Sequence, residues 1–170
     1  TNITEEIDTM RSAFRLQAEE DGLDFHLDVE EDLWASIDVT ALRRILSNLI
    51  DNAVKYTEEG HVSVQAARED DEVVIVVEDT GIGMSASFQR RAFNAFEQET
   101  MGETRTHEGS GLGLSIVKEM VRGMDGTVHL ESEEGDGTRF LLRFGWLGPD
   151  ERDPDDNDVE AKPIVTHVDR

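Results

Sequence analysis

Apolar residues along this chain recur at two different periods, and the places where the period changes mark its elements. Ile7, Met10, Phe14 and Leu16 fall near helical spacing within Ile3 to Glu20, a stretch that ends before Asp21-Gly22, so a helix is expected there. Leu23 to Val29 alternates strictly, and Leu33 to Ile37 is a further short apolar run; both read as strands with one covered face. From Asp38, a residue type suited to an N-cap, Leu42, Ile45, Leu46, Leu49, Ile50 and Ala53 trace one stripe of a long helix to about Tyr56, with Gly60 as its stop. His61 to Arg68 and Val73 to Asp79, joined by an acidic turn, read as a hairpin whose second strand is apolar on both faces and therefore central.

A short helix near Ser85 to Phe96 follows, and the polar segment Glu97 to Ser110, with Gly102 and Gly109 inside it, reads as a long mobile loop. Leu112, Leu114, Ile116, Val117, Met120 and Val121 form an amphipathic helical pattern, with strands expected at Gly126 to Ser132 and Thr138 to Trp146. This order predicts an α+β fold, a two-layer α/β sandwich with helices on one face of a mixed, mostly antiparallel sheet.

At 170 residues the chain has room for one core. All three prolines lie beyond residue 148, and Gly148 to Glu160 is dominated by acidic and polar residues, so a domain over 1–147 followed by an acidic linker over 148–161 is expected. The net charge of −23 excludes an ordinary nucleic-acid binder. Any anionic ligand must be held by a cation or by oriented backbone N–H groups. The absence of cysteine removes disulfides and thiolate metal sites. No apolar run approaches a membrane span and the first residues are acidic, so a soluble, cytoplasmic piece of a longer protein without membrane contact is expected.

Three glycine clusters stand out: Asp79-Thr-Gly-Ile-Gly83, Gly109-Ser-Gly-Leu-Gly113 and Gly135-Asp-Gly-Thr138. One alone is an ordinary turn signal, but the second precedes a helix whose N–H groups and dipole can face an anion. No P-loop sequence occurs, and no strand leads through G-x-G-x-x-G into a helix, which excludes a P-loop ATPase and disfavours a dinucleotide fold. On the long helix Asn48, Asn52 and Lys55 share one face. The two asparagines are either satisfied helix-edge amides or carbonyl donors to a hard cation such as phosphate-bound Mg²⁺. Asp79, at the end of a buried strand, is either a turn-starting carboxylate or an acceptor for a ligand amino group.

Asn48-Leu-Ile-Asp-Asn-Ala-Val-Lys-Tyr56, Asp79-Thr-Gly-Ile-Gly83, Phe93-Asn-Ala-Phe96, Gly109-Ser-Gly-Leu-Gly-Leu114 and Gly135-Asp-Gly-Thr138 together resemble the five ordered boxes of the ATP-binding catalytic domain of sensor histidine kinases. That family has the Bergerat ATP-binding fold of the GHKL superfamily, shared with DNA gyrase and the large heat-shock chaperone. The resemblance covers roughly residues 3 to 146 and implies ATP and Mg²⁺ as cofactors. It implies that Asn52 ligates Mg²⁺, that Asn48 and Lys55 contact phosphates, and that Tyr56 lies against the adenine. Asp79 binds the adenine amino group on this reading, Gly81 and Gly83 permit close approach, and Thr138 supports the base. Gly109, Gly111, Leu112 and Gly113 wrap the triphosphate. Glu97 to Ser110 resembles the ATP lid, anchored by Phe93 and Phe96, with Arg105 reaching a phosphate, although Glu-Thr-Met-Gly-Glu-Thr between Gln98 and Arg105 departs from the family by its extra acid.

The implied activity is transfer of the γ-phosphate to a histidine on a separate dimerisation domain, with Asn48, Lys55 and Arg105 as the catalytic set. The partners implied are that phosphoacceptor domain and a response regulator or attached receiver. His26, His61, His107, His129 and His167 lack the sequence context of the family's acceptor histidine. His26 and His129 read as structural residues of strands and His107 as part of the lid. Lys162 to Asp169 resembles the first strand of a receiver, so 162–170 is expected to begin one, though Arg170 departs from its acidic pattern. The rival readings are a gyrase-type ATP hydrolase and a nucleotide-sensing module without catalysis. The hydrolase relatives resemble one another in having Glu at the position of Asn48, and an amide cannot take a proton from water.

Overall fold

A computed structural model describes residues 1–97 and 111–152 of the chain. Its elements are α1 (Ile3–Glu20), β1 (Asp24–Val29), α2 (Val39–Tyr56), β2 (His61–Glu69), β3 (Glu72–Asp79), α3 (Ala86–Gln89), α4 (Gly113–Gly123), β4 (Thr127–Glu133) and β5 (Gly137–Gly145). The five strands form one sheet in the order β1-β2-β3-β5-β4. β1 and β2 run parallel, with α2 in the crossover that such a pair requires, and all other neighbours are antiparallel.

The helical layer covers one face, as the apolar pattern predicts. α2 starts where the Asp38 carboxylate accepts the Ala41 N–H at 2.7 Å. Its stripe of Leu42, Ile45, Leu46, Leu49 and Ile50 is wholly removed from solvent, each such side chain contributing about 1.5–3 kcal/mol of transfer free energy. It packs with Phe14 of α1, Val117 and Val121 of α4, and the inward residues Val64, Ile75, Val77, Phe140 and Leu142 of the sheet. β3 is central, and Val74 and Val76 on its other face are also buried. The aliphatic stems of Arg139 and Arg143 flank that open face, where Arg143 meets Glu69 and Glu72 at 2.9 and 3.2 Å. His26 and His129 lie in strands as expected, both exposed, and the His26 ring meets His61 edge-on at 5.1 Å.

Four expectations change. Leu33 to Ile37 is not a strand: the segment makes isolated bridges, Trp34 with Asn2 and Ala35 with Trp146, so it ties two chain segments together without joining the sheet. α2 is not stopped by Gly60 but closes at Thr57, whose hydroxyl donates to the Ala53 carbonyl at 2.7 Å. The helix expected over 85–96 shrinks to Ala86–Gln89, because successive tight turns bring Ala92 and Phe93 inward and Phe96, at φ 65°, ends the run. The acidic stretch after Gly148 is ordered over its first residues: Pro149–Glu151 forms a short 3₁₀ turn. There Arg152 grips Asp32 with two bonds of 2.7 and 3.0 Å and lies over the Trp34 ring. This holds the Asp32 carboxyl below its ordinary range. No helix among the described residues is long and apolar enough to cross a membrane.

Candidate functional site

The site lies at the end of the sheet where β3 stops. Asp79 is the last residue of that strand, faces the helical layer and is only 7% exposed. Its carboxylate accepts the Gly81 N–H at 2.9 Å, and the backbone N–H of Thr138, its register partner on β5, also favours its charged form. Burial nevertheless dominates and pushes its pKa up to about 6. A carboxylate so placed, with the Gly81 amide already engaged, still has lone pairs for a ligand donor.

The loop after Asp79 is clamped from two sides. Ile82 N–H donates to the Tyr56 carbonyl at 3.1 Å at the end of α2, and a side chain at Gly81 would strike that same carbonyl. On the other side the Gly135 N–H donates to Ile82 at 2.8 Å, and Gly83, at φ +67°, lies so close to the Glu133 carbonyl that no Cβ fits. The need for glycine here is therefore both conformational and steric. The β4–β5 turn and the Asp79–Met84 loop behave as one packed unit.

Asn48, Asn52 and Tyr56 follow at single-turn intervals on α2 and are all half-buried. The Asn48 amide donates to the Arg44 carbonyl at 2.8 Å, and its Oδ1 would lie 3.1 Å from a Cβ at Gly113. This brings the α2 amide face against the start of α4. The N-cap of α4 is Leu112, which has no side chain to satisfy the first-turn N–H groups, so that end of the helix presents the donors an anion needs. Gly111 accepts the Phe96 N–H at 2.9 Å, which brings together the two chain ends from which the expected lid departs. Phe93 stacks edge-on against Phe140 at 6.3 Å, but Phe96 is 77% exposed, so only the first of the two aromatic anchors is packed. Lys55 lies 5.4 Å from the Tyr56 ring and lines an open groove of about 530 Å³ with Asp21, Val54, Thr57, Glu58 and Glu59. Of the expected binding residues Lys55 alone lines that groove, which lies at the end of α2.

Gly109, Arg105, His107 and the rest of 98–110 lie outside the described residues, as do 153–170 with His167. Two residues that carried no expectation prove central to the geometry. The Ser132 hydroxyl accepts the Met84 N–H at 2.8 Å, donates to the Gly137 carbonyl at 2.7 Å and contacts the Thr138 hydroxyl at 3.1 Å. The Gln89 amide donates to the carbonyls of Met84 and Ser132 at 2.8 and 2.7 Å. A hydroxyl at an inward position of an alternating strand, in line with Val128 and Leu130, was the available signal for Ser132. Gln89 had none.

Residues 37–146 match the family of histidine kinase-, DNA gyrase B- and HSP90-like ATPases. The chain belongs to that family and is an ATP-binding module of the histidine-kinase type. It is 44% identical over 110 residues to Histidine protein kinase 1 of Candida albicans, a match covering 62% of this chain and 4% of that protein. It is 38% identical over 144 residues to the autoinducer 2 sensor kinase/phosphatase LuxQ of Vibrio parahaemolyticus, covering 79% of this chain and 17% of that one. Among solved structures, full-length ShkA in complex with AMPPNP superposes with a TM-score of 0.73 at 32% identity, covering 86% of this chain and 30% of that chain. The chain thus spans less than a fifth of the length of these two curated relatives.

Proposed function

We propose that this domain binds Mg²⁺-ATP and presents the γ-phosphate to a histidine on a separate dimerisation domain, from which it passes to a response regulator or attached receiver. The observation that carries the reading is Asn48. It stands on α2 against the start of α4 with its amide committed to the Arg44 carbonyl, where an activating base for water would be needed in a hydrolase. An amide offers no such base, so transfer to an external nucleophile is favoured over hydrolysis, in keeping with relatives named as kinases. The domain is read as 1–147, with 148–161 as a linker that first packs back through Arg152 and 162–170 as the start of a receiver.

Asp79 receives the adenine amino group on this reading, with Gly81, Gly83 and Thr138 forming the walls and Tyr56 lying against the ring. Asn48, Lys55, Gly111, Leu112, Gly113 and the lid residues Gly109 and Arg105 hold the phosphates. The donor set suits Mg²⁺: Asn52 offers one hard amide oxygen, and among the described residues no cluster of three acidic or histidine side chains could cage a metal. A cation here must therefore complete its shell with phosphate and water oxygens, as Mg²⁺ does. When bound it neutralises phosphate charge that a chain of net charge −23 would otherwise repel. The protein's own share of the reaction is positioning.

The test is incubation with γ-labelled ATP, alone and with the phosphoacceptor domain of the full-length protein supplied in trans. Label that reaches the acceptor histidine, with acid-labile and base-stable chemistry, supports the reading. Rapid phosphate release without acceptor, or label on His26, His61 or His129, overturns it.

A further inference from the structure

Asp79, Thr138 and Ser132 form one row across the inner face of the sheet, since Asp79 is the register partner of Thr138 and Thr138 that of Ser132. Asp79 and Thr138 are each only 7% exposed, so the direction of every proton in this row matters. A serine hydroxyl carries one proton. In Ser132 it is directed at the Gly137 carbonyl at 2.7 Å, while the oxygen accepts the Met84 N–H at 2.8 Å. The 3.1 Å contact between the two hydroxyls can be made at the same time as that bond only with Thr138 as its donor. With its proton spent on Ser132, the hydroxyl oxygen of Thr138, the register partner of Asp79, is left as an acceptor only. Gln89 locks the arrangement by bonding the carbonyls of both Met84 and Ser132 with one amide.

We propose that Ser132 is a positioning residue for base recognition, fixing the Thr138 hydroxyl as an acceptor beside Asp79 so that this corner selects purines bearing an amino group at carbon 6. The inference rests on the base-site reading given above. A 6-amino group supplies two N–H donors to two acceptors, whereas a 6-oxo group sets lone pairs against lone pairs. A buried polar mismatch of that kind discriminates far better than a change of size.

The experiment compares affinities for ATP and ITP, which differ at carbon 6, in the wild-type domain and in Ser132→Ala, Ser132→Cys and Ser132→Thr, with the fold of each checked by circular dichroism. Wild type is expected to prefer ATP by about tenfold or more. Ser132→Ala releases the Thr138 proton, so the preference should fall about threefold or more, and Ser132→Cys, a weak donor of similar volume, must show the same fall if the alanine variant does not fold. Ser132→Thr keeps the hydroxyl and should keep the preference. A purely structural role would weaken both nucleotides equally and leave the ratio unchanged, and that result overturns the proposal alone. A wild type that binds both nucleotides equally overturns the base-site reading beneath it.

Discussion

Asp79 and Thr138 stand opposite each other in the β3–β5 register, and the Thr138 backbone N–H favours the charged form of the Asp79 carboxylate. Together with the Gly81 N–H at 2.9 Å, this fixes the orientation of a carboxylate that burial alone would expel or protonate. A protein holds a buried acceptor in this way at some cost in stability, and the return is expected at the ligand. Asp79→Ala should lower ATP affinity by about tenfold or more, the equivalent of the 1–3 kcal/mol typical of a lost buried hydrogen-bond partner. Calorimetry on the folded variant checks it, and an unchanged affinity would remove Asp79 from the site.

The same carboxylate makes stability depend on pH with a defined sign. Its pKa is about 6 in the folded protein against 3.8 for the unreacted group, so the unfolded chain releases its proton first as pH rises. The contribution of Asp79 is most favourable below pH 3.8, and stability is lost between there and about pH 6, by an order of 2–3 kcal/mol. Asp79→Asn removes this titration. Denaturant unfolding should show the variant gaining on wild type as pH is raised from about 4 to about 7, with a plateau above. A difference that did not change with pH would mean that the carboxylate is not desolvated.

The clamp on the Asp79–Met84 loop predicts a different behaviour for glycine substitution. Gly83→Ala places a methyl group against the Glu133 carbonyl at φ +67°, and both the strain and the clash must be relieved by parting the loop from the β4–β5 turn. A loss of about 1–3 kcal/mol is expected, accompanied by weaker nucleotide binding. Gly22→Ala serves as control, because it lies outside the clamp and nothing lies within 4 Å of the Cβ position there although its φ is also positive, at +75°. Equal effects of the two substitutions on nucleotide affinity would contradict the clamp.

Much of this architecture could be read from apolar spacing because the elements that build the layers bury one regular stripe each. α2 and β3 are the clearest cases, with every position of the Leu42 to Ala53 stripe buried and Val73, Ile75 and Val77 turned to the helices. Leu33 to Ile37 misled for the complementary reason: its apolar residues are buried through isolated bridges and the packing of Trp34, without a ladder. Composition likewise hid the role of Arg152, since an acidic, proline-containing stretch reads as linker while one arginine in it finds Asp32 far back in the chain. At the site, Asp79 and the glycines were visible as residue types at strand ends. The proton directions in the Ser132–Thr138 pair depend on which carbonyls fold into reach, and no spacing encodes that.

The most direct measurement locates the nucleotide on the folded domain. In a titration of Mg²⁺-ATP into isotope-labelled protein followed by backbone amide resonances, the largest shifts are predicted for Asn52, Asp79 to Gly83, Gly113 and Thr138. Asp21, Glu58 and Glu59, which share a groove with Lys55 but not the proposed site, should respond weakly, and Asp79→Ala should require about tenfold more nucleotide to reach the same shifts. Shifts centred on that groove, or on the open face around His26 and His129, with Asp79 and its neighbours unmoved, would contradict the account.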